Sequence, residues 1–107
     1  MPLMEDKFID FEAFWPFYMS QHRLPLNRKL HFVGTTLGII LLVFALAKNC
    51  PYLLLGVPVL AYGFAWVGHF AFEKNRPATF KYPLWSFRGD LRMWRLMLEG
   101  KLWHGRT

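Results

Sequence analysis

Gly38-Ile39-Ile40-Leu41-Leu42-Val43-Phe44-Ala45-Leu46-Ala47-Lys48-Asn49-Cys50-Pro51-Tyr52-Leu53-Leu54-Leu55 joins two apolar runs across one short polar break. Toward the N-terminus, the chain from Leu30 to Ala47 holds no Lys, Arg, Asp or Glu, and toward the C-terminus the same is true from Tyr52 to Phe72. Each run is about the length a helix needs to cross a bilayer. Pro51 lacks a backbone donor and biases Cys50 away from helix, so the break reads as a tight turn. The expectation is an all-α integral membrane protein, a hairpin of two transmembrane helices at about residues 30–47 and 52–72. Gly56, Pro58, Gly63 and Gly68 are tolerated in such a helix and suit close packing of the second span on the first. A soluble two-helix core is the alternative, since both runs are near the lower length limit, and solubility without detergent separates the two.

Composition points the same way. With 107 residues the chain is expected to form one domain, residues 1–107. It is 54% hydrophobic and 19% aromatic, above the usual apolar share of a soluble domain, and its mean hydropathy is +0.19. Of the 13 Lys and Arg, four precede the first run, one lies in the turn and eight follow the second run. The positive-inside rule then places both termini in the cytoplasm, in a multi-pass protein of a bacterial cytoplasmic membrane or a eukaryotic endoplasmic reticulum. The net charge of +6 fits a bilayer rich in anionic lipid better than nucleic acid, given the apolar context. Cys50, the single cysteine, cannot form an internal disulfide. The first thirty residues mix four acidic with four basic groups, unlike a cleavable signal peptide.

The flanks read as amphipathic interfacial helices. Phe8, Phe11, Phe14, Trp15 and Tyr18 recur at spacings of three and four, with Asp6 or Asp10 as the cap and Pro25 as the latest end. From Phe87 to Trp103, Phe87, Leu91, Trp94, Leu98 and Leu102 alternate with basic residues, which suits a headgroup layer. Pro77 and Pro83 argue for a loop between the second run and this helix. There is no internal repeat, Gly-rich phosphate loop, zinc-type Cys spacing or Ser nucleophile elbow, which sets those classes aside.

His22, His31 and His69 lie beside or inside the runs, where an ionisable side chain is costly. His31 and His69 are each about seventeen residues from the turn, so in an antiparallel hairpin both sit about 26 Å from it. Glu73 is expected on the face of His69, one turn on, and His22 can fold back over the same mouth. Imidazoles with a carboxylate suit iron, zinc, copper or manganese. Each His alone could instead satisfy a nearby carbonyl, and His104 reads as solvent-facing. Tyr18, four residues before His22, could bond a ligand or serve as an interfacial anchor. Asn27, Arg28, Asn75 and Arg76 flank the histidines and could bind a carboxylate headgroup. The stretch Ser86, Gly89 and Asp90 reads as helix capping. Axial ligation of a haem by His31 and His69 is disfavoured, because two helices hardly enclose its pocket.

The blocks Tyr18-x3-His22-x4-Asn27-Arg28-x2-His31-x2-Gly34 and Gly68-His69-x3-Glu73-Lys74-Asn75-Arg76-Pro77-Ala78 resemble the family known as domain of unknown function 962, typified by a fungal 2-hydroxy fatty acid dioxygenase of phytosphingosine breakdown. The resemblance implies an Fe(II)-dependent membrane dioxygenase that uses O2 to convert a 2-hydroxy fatty acid to the acid one carbon shorter. It implies His22, His31 and His69 as iron ligands, and it leaves the role of Glu73 open, with Tyr18 as the other catalytic candidate. This chain has fewer hydrophobic segments than the fungal pattern, so a homodimer is one way to enclose an acyl chain. A non-catalytic hairpin for lipid organisation or complex assembly is the alternative function.

Overall fold

The computed structural model describes residues 8–105, whose regular elements are all helical, with no strand among the described residues. Helix α1 spans Phe11–Ser20, α2 Pro25–Ala47, α3 Gly56–Val67 and α4 Pro83–Leu98. A 3-10 turn, Pro51–Leu55, leads into α3, a π-helical turn, Gly68–Glu73, continues it, and a short 3-10 turn, Ala78–Phe80, precedes α4. Asp10 caps α1 by accepting the amide of Ala13 at 2.9 Å; Asp6 lies outside the described residues. Pro25 opens α2 in its first turn, where a missing N–H costs nothing. That residue begins the long helix, so the first apolar helix starts about five residues before the charge-free run.

Two continuous helical segments, Pro25–Ala47 and Pro51–Glu73, are each 23 residues long and apolar enough to cross a bilayer. They pack antiparallel across a turn in which Asn49 adopts a left-handed φ of 51°. The closest approach to the partner backbone is at Gly34 of the first segment. A Cβ on Gly34 would lie 2.9 Å from the carbonyl oxygen of Ala61 and from Phe64 Cβ, whereas one on Gly63 would meet nothing within 4 Å. The expectation that the glycines of the second segment pack on the first holds for Gly56, where a Cβ would stand 2.8 Å from Leu41 Cδ2, and for Gly68, where it would collide with Asn27, but not for Gly63; Gly34 and Gly38 on α2 add the approach that lets the backbones meet. Only 22% and 17% of the residues in the two apolar windows are buried. Ile40, Val43, Phe44, Leu46, Leu55 and Val59 are all exposed.

Helices α1 and α4 form a second packed layer. The aromatic face of α1 turns inward, where Phe11, Phe14 and Tyr18 join Tyr82, Met93 and Met97 in one core. Helix α4 buries Ser86, Gly89, Met93 and Met97, while Leu84, Phe87, Leu91 and Leu98 stay exposed. Of its expected apolar stripe, Phe87, Leu91 and Leu98 thus face outward, while Trp94 and Leu102 pack on the protein. Trp94 donates to Thr36 Oγ1 at 3.0 Å, tying α4 to the middle of α2. The C-terminal tail folds back as well, with left-handed Gly100 and Leu102.

Candidate metal centre

Three separate elements bring the histidines together. His22 follows α1, with its ring stacked on Tyr18 at 4.1 Å between centroids. His31 sits near the start of α2, and His69 lies in the π-helical turn. The ring centroids are 4.6 Å apart for His22 and His31, 4.6 Å for His22 and His69, and 4.9 Å for His31 and His69. One nitrogen from each ring falls within 4.8 Å of the others, and all three residues are buried. The rings border a cavity of about 10 Å³, close to the room one water or one ion needs.

Hydrogen bonding fixes which nitrogens face that cavity. His22 Nδ1 lies 2.7 Å from the Tyr18 carbonyl, an acceptor only, so Nδ1 carries the proton. Asn75 donates its amide nitrogen to the Gln21 carbonyl at 3.1 Å, which leaves its Oδ1 to accept from His69 Nδ1 at 2.7 Å. Both rings therefore present bare Nε2 atoms, and these are 3.1 Å apart. A hydrogen bond between them would require an imidazolium, but burial, then the charge of His69, pushes His22 down to about 3. His31 adds a third buried nitrogen, Nε2, without a partner. Two opposed lone pairs and a third buried ring nitrogen around one small cavity fit a divalent cation.

Behind the rings stands a carboxylate that sequence reading had assigned to capping. Asp90 accepts a hydrogen bond from the Tyr18 hydroxyl and lies 3.8 Å from His31 Nδ1, too far for a hydrogen bond. Burial lifts its carboxyl to about 7, with the Tyr18 bond pulling the other way. Burial, then Asp90, holds the Tyr18 phenol well above its usual range. Helix α4 can approach this closely because residue 89 is glycine: a Cβ there would stand 2.9 Å from the Tyr18 ring.

The other expected site residues divide. Asn75 supports His69 directly. Glu73 does not point at the cluster; it accepts from the Leu24 amide at 3.0 Å and from Asn27 Nδ2 at 3.1 Å, clasping the start of α2. The four-residue rule that put it on the face of His69 assumes α-helical rotation, and the π-helical turn breaks that register. Asn27 also packs on Gly68, where a Cβ would collide with its Oδ1. Arg28 is fully buried, and its five N–H groups go to backbone carbonyls of His22, Arg23, Leu102, His104 and Gly105. It clamps the chain leading to α2 and the C-terminal tail, and no donor remains for a carboxylate headgroup. Arg76 is exposed beside Pro77 and Lys81, and His104 is exposed in the tail.

Residues 8–102 match the family model described as 2-hydroxy-palmitic acid dioxygenase Mpo1-like. The chain belongs to the Mpo1-like family. No curated protein and no solved structure matches it. Within this Mpo1-like chain, the residue that sequence reading missed is Asp90, whose only hint is its place in the helical stripe Ser86, Gly89, Asp90, Met93 and Met97.

Proposed function

We propose that this Mpo1-like chain is an Fe(II)-dependent membrane dioxygenase that shortens 2-hydroxy fatty acids by their carboxyl carbon. The observation that carries the reading is the trio of buried imidazoles with two bare Nε2 atoms opposed at 3.1 Å and a third left unpartnered, in a family named for this activity. His22, His31 and His69 would hold the metal, and bound there it supplies the oxygen activation that such a cleavage requires. The protein's part is to fix the rings. The Tyr18 carbonyl and Asn75 Oδ1 hold two of the three tautomers, and the small cavity keeps bulk water from the reacting end. Asp90, holding the Tyr18 hydroxyl proton as acceptor, stands beside His31 and borders the same cavity.

Membrane residence is supported by the exposed apolar faces of the two long helices, because a soluble core helix would bury most of them. Exposed Leu84, Phe87, Leu91 and Leu98 support a position for α4 at the headgroup level in this reading. The test is anaerobic loading with Fe(II) and a 2-hydroxy fatty acid, then admission of oxygen and mass analysis. The expected product is the acid one carbon shorter. Iron-loaded protein that leaves the hydroxy acid intact would remove this substrate class.

A further inference from the structure

An apolar groove of about 160 Å³ runs between α3 and α4. It starts at His31 and Asp90, which also border the cavity among the imidazoles. From there it follows α3 past Ala65 to Pro58 and Val57, with Phe87 of α4 as its outer wall. The groove exists because α3 presents small residues, Ala65 and Ala61, where larger side chains would close it. Ala65 to Val57 is eight residues, or about 12 Å of helix.

We propose that this groove seats the alkyl chain of a lipid-derived substrate, with the polar end at His31 and the far carbons leaving past Val57. This rests on the oxygenase reading above and adds to it the route of the chain. Two observations favour an amphiphile lying in this direction. Groove and cavity share four residues, His31, Tyr62, Ala65 and Asp90, so a chain in the groove delivers its head to the imidazoles. Phe87 is 55% exposed, so the groove borders the outer apolar surface and a chain can enter sideways without crossing water. About 12 Å of groove is shorter than a long acyl chain. The protein therefore reads the first part of the chain and leaves the remainder to the surrounding lipid, and turnover rises with chain length only until the groove is filled.

The first test does not depend on turnover. A fatty acid with a diazirine part-way along its chain is photolysed with the iron-loaded protein in lipid vesicles, and the labelled peptides are mapped. Labelling concentrated at Val57, Pro58 and Phe87 is expected; even labelling over the exposed faces of α2 and α3 overturns the groove. The second test compares Pro58→Phe, inside the groove, with Val59→Phe, which is 70% exposed. Pro58→Phe is expected to lower turnover of long-chain 2-hydroxy acids about tenfold, to spare chains short enough to end before residue 58, and to leave the iron content unchanged. Equal losses at every chain length, or none, overturn the groove while the oxygenase reading stands. If the wild type converts neither long nor short acids, the oxygenase reading fails and the labelling pattern alone decides the groove.

Discussion

His22 and His69 oppose two lone pairs because their other nitrogens are already committed, one to a backbone carbonyl and one to Asn75. Asn75→Ala removes the group that sets the His69 tautomer. It is expected to weaken Fe(II) binding by about 10–100-fold, read by anaerobic metal titration, with little change in helix content. Gly89→Ala puts a methyl group against the Tyr18 ring and is expected to cost about 1–3 kcal/mol, read by thermal unfolding in detergent. Much of this centre was legible beforehand. Rise per residue levels His31 with His69 once the turn is placed, since both lie on continuous helical segments anchored at one point. Asp90 was not legible, because its partner Tyr18 is 72 residues away and no periodicity states where α4 lands. Arg28 misled for a related reason: its motif position beside the histidines says nothing of the tail that folds back onto it.

Among the elements, the two apolar helices were plain from their charge-free runs, but their packing was not. Sequence reading credited the glycines of the second segment, yet hydropathy does not say which side of a helix meets its partner. Gly34 makes the tight backbone contact, Gly56 and Gly68 press on Leu41 and Asn27 of α2, and Gly63 faces open space. Gly34→Ala is therefore expected to destabilise the hairpin by about 1–3 kcal/mol through collision with the α3 backbone. Gly63→Ala should be neutral or stabilising by up to about 1 kcal/mol, the usual gain in helix propensity. Thermal unfolding of the pair in one detergent checks both signs. The π-helical turn is the other surprise. It turns Glu73 away from the cluster to clasp Leu24 and Asn27, a rotation that residue types do not announce.

At the scale of the whole molecule, one buried guanidinium ties the ends together. Arg28→Leu strands five carbonyls at once and is expected to cost on the order of 3 kcal/mol and to expose Lys101 to trypsin. Arg28→Lys should rescue little, since an ammonium cannot reach the same five acceptors. Cys50, alone at the turn, reports topology. On the orientation expected from the Lys and Arg count, a membrane-impermeant maleimide labels it only from the non-cytoplasmic side of the bilayer, and labelling from the cytoplasmic side would reverse that orientation. The metal site is the claim on which the proposed chemistry stands, and metal analysis of the chain purified without chelators tests it most directly. About one iron per chain is expected in the wild type, with loss of that iron in His22→Ala, His31→Ala and His69→Ala; full iron occupancy in all three variants would contradict the site.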